Sequence, residues 1–213
     1  PPVARSIYVT SPEGDTGKST VALGLVDLLT RTVQRVGVFR PIARSTETPD
    51  YVLELLLAHD GVDLSYEDCI GTTYESVHAD PEAALATIVQ RYHAVARACD
   101  VVVIVGTDYT DIAGPAELGF NARIAANLGA PVLLCVKGQG RTPEEVRQVA
   151  EVAAAELEAG HAQVVAIVAN RCRPEDVEAV RAELATRATA WALPEDPFLV
   201  APTVRQLMES VGG

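Results

Sequence analysis

The decapeptide Ser11-Pro12-Glu13-Gly14-Asp15-Thr16-Gly17-Lys18-Ser19-Thr20 constrains this chain more than any other stretch. Ahead of it, Ser6-Ile7-Tyr8-Val9-Thr10 is a β-branched and aromatic run that reads as a strand. Behind it, Val21 to Thr30 carries apolar residues at 21, 22, 25, 28 and 29, a helical spacing. A strand, a glycine-containing turn closing on Gly-Lys-Ser, and a helix together form the context of a phosphate-binding P-loop. Gly14, Asp15, Thr16, Gly17, Lys18, Ser19 and Thr20 would present curled backbone N–H groups and the positive end of a helix dipole to an anion. Lys18 can reach outer phosphates, and the Ser19 hydroxyl can hold a magnesium ion. Where the full pattern has glycine the chain has Pro12, which removes one N–H donor. Glu13 and Asp15 add negative charge beside the expected phosphates, and a like-charge pair at about 4 Å costs roughly 1 kcal/mol in water and more when desolvated. The plainer alternative is a strand–helix turn with an ordinary surface lysine.

The chain has 213 residues, enough for one large α/β domain spanning 1–213 with a proper core. Its net charge of -12 argues against nucleic acid or an anionic membrane as partner. No stretch approaches 18 consecutive apolar residues, and no basic leader precedes the first apolar run, so a soluble cytoplasmic protein is expected. Cys69, Cys99, Cys135 and Cys172 form no C-x-x-C pair, so neither a zinc site nor a redox motif is indicated, and Cys135 reads as a small buried hydrophobe. The only methionine is Met208 and the chain begins Pro1-Pro2, so a piece of a longer protein is expected.

Strand and helix patterns alternate along the chain. Val36 to Arg40 reads as a second strand ended by Pro41, and Arg40 to Arg44 is either a second wall of the site or a pair of surface arginines. Thr48-Pro49-Asp50 starts a helix to about His59 that is apolar nearly all round, which predicts burial in the domain or against a partner. Residues 60–79 show no period and read as a long loop, with Tyr66, Tyr74 and His78 more simply packed than ligand-binding. A helix from Asp80-Pro81-Glu82 buries Leu85, Ile88, Val89, Tyr92 and Val95 and leaves His93 in solvent. Asp100 to Gly106 is a strand with both faces buried, as in a parallel sheet. Asp108, and after it Asp111, lies where an acid would hold Mg²⁺ or its water, although aspartate also favours turns. Further strands are expected over 132–136 and 164–168, and further helices over 117–128, after the Thr142-Pro143-Glu144-Glu145 capping box, from Pro174, and from Thr203. The alternation predicts a doubly wound, mostly parallel α/β sheet with right-handed crossovers.

Several motifs in order carry a resemblance: Thr16 to Thr20, Val38-Phe39-Arg40-Pro41-Ile42, Gly129-Ala130-Pro131, Val168-Ala169-Asn170-Arg171, Pro194-Glu195-Asp196-Pro197 and Ala201-Pro202-Thr203. Across essentially its whole length the chain resembles the N-terminal domain of long-form bacterial phosphate acetyltransferases of the actinobacterial kind. That domain is itself similar to dethiobiotin synthetase, a P-loop ATP enzyme. The resemblance implies a fragment lacking the acetyl-transfer site, linked to downstream domains, to regulation by metabolites and to homo-oligomer assembly. It implies that Asn170, with Arg171 beside it, faces the base of ATP or another nucleotide bound with Mg²⁺. It also marks departures. Arg40 stands where dethiobiotin synthetase has a substrate-binding lysine, and a guanidinium would suit a small acidic metabolite or a second phosphate. Val105 stands where that enzyme has a glutamate that helps bind Mg²⁺, and valine cannot ligate a metal. Three readings follow: a nucleotide-responsive regulatory domain with no catalysis of its own, a working ATP-dependent ligase, or a structural module with a relic loop.

Overall fold

Five β-branched residues in a row, Val101–Val105, form a strand whose members are all buried, four of them at 0% exposure. Such a run fits only where strands flank it on both edges and helices cover both faces. A computed structural model describes residues 4–45, 47–107 and 116–196. In chain order the elements are β1 (Arg5–Thr10), α1 (Lys18–Thr30), β2 (Val36–Ala43), α2 (Tyr51–Leu57), β3 (Ile70–Thr73), α3 (Tyr74–Ala79) and α4 (Pro81–Ala98). They continue as β4 (Val101–Val105), α5 (Ala116–Leu128), β5 (Val132–Lys137), α6 (Pro143–Ala159), β6 (Val164–Cys172), α7 (Val177–Ala185) and β7 (Thr189–Pro194). The seven strands make one sheet in the order β3-β2-β4-β1-β5-β6-β7, with every pairing parallel.

Parallel strands need crossovers, and the helices divide between the two faces. One part of the core joins Ala22 and Val26 of α1 and Val52, Leu53 and Leu56 of α2 to Val9, Val38, Val103 and Val105. The other joins α3 to α7 to Tyr8, Phe39, Ile104, Leu134 and Ile167. The order reverses between β4 and β1, one strand leading to α1 and the other to α5, and a crevice opens there at the carboxyl ends of the strands.

Several boundaries differ from the sequence expectation. β2 runs through Pro41 to Ala43, because its pairing with β4 ends at Phe39 and its pairing with β3 skips Pro41, so the missing N–H breaks no paired position. Residues 60–79 are no loop: they hold a 3-10 turn at Glu67–Cys69, the four-residue edge strand β3, and α3. The cap of α2 is Asp50, whose side chain accepts from the Leu53 N–H, rather than Thr48. α2 is also less enclosed than expected, with Tyr51 exposed. β6 extends past Val168 to Cys172, and residues 189–194 form an edge strand with no counterpart in the sequence reading. Asp108, Asp111, Phe198-Leu199-Val200 and the helix from Thr203 lie outside the described residues.

Ile104 is fully buried against the α3–α7 layer. Ile104→Ala should cost about 2–5 kcal/mol of stability, read from urea unfolding at unchanged slope.

Candidate functional site

The turn after β1 begins with Ser11, whose hydroxyl donates to the Glu13 carbonyl at 3.0 Å. It ends at Gly17, the N-cap of α1, in the left-handed region at φ 72°. A side chain at position 17 would also collide with the Asn170 amide, so glycine is required twice over. No side chain caps α1, and its first turn carries no acid. The leading N–H groups of the helix therefore point out of the turn with no carboxylate or hydroxyl of the described residues capping them, a cradle suited to an anion.

Lys18 is 5% exposed. It crosses to the end of β4, where its Nζ donates to the Gly106 and Thr107 carbonyls, both at 2.7 Å. Arg40 reaches the same place from β2. Its Nη1 donates to the Gly106 carbonyl and, at 3.2 Å, to that of Val105, while its Nε is paired with Asp50 at 3.1 Å. Two cations thus converge on one carbonyl oxygen, both almost fully buried. Asp50 holds one of them and caps α2 in the same stroke. Behind Gly106, Asn121 of α5 is completely buried. It accepts from the Tyr8 hydroxyl at 2.7 Å and donates to Thr107 Oγ1 at 2.7 Å, fixing the end of β4 against β1 and α5.

The other wall comes from β6 and β7. Asn170 donates from Nδ2 to the Thr16 carbonyl at 2.9 Å, which turns its Oδ1 acceptor away from the turn. Arg171 has φ 59°, a left-handed conformation for a non-glycine residue, at an irregularity of the β6–β7 pairing. From there Nη1 donates to the Asp15 carbonyl at 2.9 Å and Nε to Glu195 at 3.0 Å. Asp15, Gly17, Thr20, Asn170, Arg171 and Asp196 border a cavity of about 300 Å³. A second cavity, of about 330 Å³, borders Arg40, Arg44, Asp50, Tyr51 and Tyr74 on the opposite side of the turn.

The charge of Glu13 has a partner that the sequence did not reveal. Arg141, in the loop before α6, grips its carboxylate through both terminal nitrogens, at 2.5 and 2.9 Å. Burial raises the Glu13 carboxyl, and the Arg141 hydrogen bond and charge, with help from Lys137, more than reverse this, so it lies below its ordinary value. The expected repulsion from Glu13 is therefore neutralised within the protein. Burial pushes the Cys135 thiol up to about 12, with the nearby Lys18 charge pulling the other way, which agrees with a thiol acting as a small hydrophobe. For a metal, the described residues contain no cluster of three acidic, histidine or cysteine ligands. Ser19, half-buried in the first turn of α1, is the one expected magnesium ligand among them.

Asp50, Arg141, Asn121 and Glu195 were not anticipated as parts of the site. Their partners lie 10 or more residues away along the chain, and no local pattern signals such pairs.

A family model described as an AAA domain matches residues 5–203. Among curated proteins, the chain is 30% identical to a phosphate acetyltransferase of Nitratidesulfovibrio vulgaris, over 99% of this chain and 32% of that protein. It is 26% identical to a phosphate acetyltransferase of Synechocystis, over 98% and 32%. The chain thus spans about a third of the length of these relatives. Among solved structures, a plasmid partition protein of Borrelia burgdorferi matches 92% of this chain and 92% of its own at TM-score 0.60 and 11% identity. The septum site-determining protein MinD of Pyrococcus horikoshii, complexed with Mg-ADP, matches 91% and 82% at TM-score 0.52 and 18% identity. These structures are P-loop proteins, and at such identities they establish the fold.

The Glu13–Arg141 pair has a pH signature. Because the folded carboxyl lies below its usual 4.5, its contribution is complete above that pH and disappears as pH falls through the folded value. Urea unfolding from pH 7 to pH 3 should show Glu13→Gln less stable than the parent at pH 7, with the gap closing on the acid side.

Proposed function

Since the chain belongs to the AAA domain family, whose model covers residues 5–203, we propose that it is a nucleotide-responsive regulatory domain of a longer phosphate acetyltransferase. The longer protein would interconvert acetyl-CoA and phosphate with acetyl phosphate and CoA, using residues outside this chain. Within the chain, residues 1–213 would form one P-loop domain without catalysis of its own, joined to downstream domains and assembled as a homo-oligomer.

The observation that carries this reading is the uncapped start of α1 behind a left-handed Gly17. The N–H groups from Gly14 to Thr20 suit the phosphates of ATP or another nucleotide, and Lys18 exchanges carbonyl oxygens for phosphate oxygens. Asn170 is already held by Thr16, so its Oδ1 is set to accept from an exocyclic amino group of a base, with Arg171 and Asp15 at the rim. Ser19 suits one position on a Mg²⁺ ion, which would offset phosphate charge, with Asp108 a second candidate. Arg40 and Arg44 border the neighbouring cavity, where a small acidic metabolite would meet cationic groups. Movement of Lys18 would alter the carbonyl that Arg40 shares and, through Asp50, the start of α2. A ligand regulates only through unequal affinity for two states, and this chain of contacts is where they would differ.

Two observations favour a sensor over a dethiobiotin synthetase-like ligase. β4 ends in Val105 rather than an acid, and Arg40 is committed to Asp50 and to main-chain carbonyls. Calorimetry with Mg-ATP, Mg-ADP and Mg-GTP should show binding of at least one, and Lys18→Ala, checked as folded by its thermal transition, should weaken it at least about tenfold, the equivalent of 1.4 kcal/mol. Nucleotide at about 100 times Kd should add about 2.7 kcal/mol of stability to the parent. Phosphate release from ATP with diaminopelargonic acid and bicarbonate would restore the ligase reading, and no nucleotide-dependent rise in melting temperature would leave a structural module.

A further inference from the structure

β7 closes the sheet at one edge, and its outer side meets no strand among the described residues. A strand so placed presents a row of main-chain N–H and C=O groups, a template for another strand. One hydrogen bond fixes which groups face outward. Glu195 donates its N–H inward, to the Cys172 carbonyl of β6. Main-chain groups alternate in direction along a strand, so those of Trp191 and Leu193 face β6, while those of Ala190, Ala192 and Pro194 face the open edge. Edges are normally blunted by charge, by brevity or by a covering element. β3, at the other edge, has only four residues. β7 has six, and none of them is charged, in a chain of net charge -12. On the α1 side of β7, Trp191 and Leu193 are 48% and 41% exposed, and Leu28 of α1 is 61% exposed. These are three of the six large apolar side chains exposed among the described residues, and all three line one groove of about 510 Å³ beside α1.

We infer that β7 is a pairing edge whose occupant is β7 of a second copy of this chain, antiparallel about a two-fold axis at Ala192. The inference rests on the homo-oligomer of the proposed function and gives it a surface. A second copy fits the edge in hydrogen bonding, in side chains and in charge. A strand turned about its own midpoint is complementary to itself: Ala192 and the partner's Ala192 exchange both of their hydrogen bonds, and the Ala190 N–H of each copy meets the other's carbonyl at position 194. Pro194 then falls at the ends of the ladder, where its missing N–H forfeits only the terminal bond. In this register Trp191 stands opposite the partner's Leu193 at a non-hydrogen-bonded pair, the closer of the two spacings, so both exposed side chains gain a cross-strand contact. The uncharged strand lets two strongly acidic chains meet with no like charges in the ladder, and Glu195 just beyond it is already paired with Arg171. The exposed apolar surface is below the roughly 800 Å² per partner of a standard interface, so a dissociation constant in the micromolar range is expected.

Sedimentation velocity of the 213-residue chain from low to high micromolar concentration should show a monomer–dimer equilibrium. Trp191 is the chain's only tryptophan, so its emission should move to the blue with the same midpoint. Amide hydrogen exchange at Ala190 and Ala192 should slow several-fold in the dimer, and that at Trp191 and Leu193, whose N–H groups already face β6, should not change. Leu193→Lys should raise the dissociation constant at least tenfold at an unchanged melting temperature of the monomer, whereas Tyr51→Lys, at an exposed residue of α2, should leave it as it is. A monomer at every concentration would overturn both this inference and the homo-oligomer of the proposed function. A dimer that survives Leu193→Lys, or that leaves exchange at Ala190 and Ala192 unchanged, would overturn this inference alone and place the assembly on another surface.

Discussion

One carbonyl oxygen, that of Gly106, organises the upper end of the molecule. It accepts from Lys18 and from Arg40, so the end of β4 carries two cations in a setting that excludes water. Buried charge is tolerated only when paired and hydrogen-bonded. Arg40 has the carboxylate of Asp50, and Lys18 donates to the Gly106 and Thr107 carbonyls. Gly106 leaves no room for a side chain, since a Cβ there would meet Asn121, Thr10 and Tyr8. The end of β4 is therefore a closely packed pedestal on which two cations gather.

Around this pedestal the turn is held by side chains from distant elements. Arg141 clamps Glu13, Asn170 clamps Thr16, and Arg171 clamps Asp15. Three residues of the turn thus answer to the loop before α6 and to the end of β6, at the carboxyl side of a parallel sheet where such ends gather. The acidity that looked unfavourable in the sequence is a handle for Arg141. The same grip shapes the turn from within the protein.

What the sequence made legible was local. The strand–turn–helix, the buried run 101–105, the Asp80-Pro81 start and the Thr142–Glu145 capping box each express themselves within a few residues. β3 escaped notice because it has four residues, one of them Gly71 pressed against the Pro41 carbonyl. β7 escaped because an edge strand of alternating alanine and exposed tryptophan or leucine resembles neither a buried run nor a polar loop. Pro41 misled because proline breaks a strand only where its N–H would be paired. In the candidate site, Lys18 and Gly17 were legible from spacing and Asn170 from resemblance. The partners of Lys18, Arg40 and Glu13 were not, since long-range pairing leaves no periodic trace.

The order of strands in the sheet carries a consequence for biosynthesis. β1 and β2 do not touch each other; each waits for β4 to be inserted between them. The carbonyls that receive Lys18 follow it by 88 and 89 residues, and the amide that braces Thr16 follows by 154. A nascent chain emerging from the ribosome thus exposes its glycine turn long before anything can shape it, and loop-closure entropy must be met before those contacts reward it. Assembly of the turn's supports therefore belongs to the later stages of folding, after β6 has been synthesised.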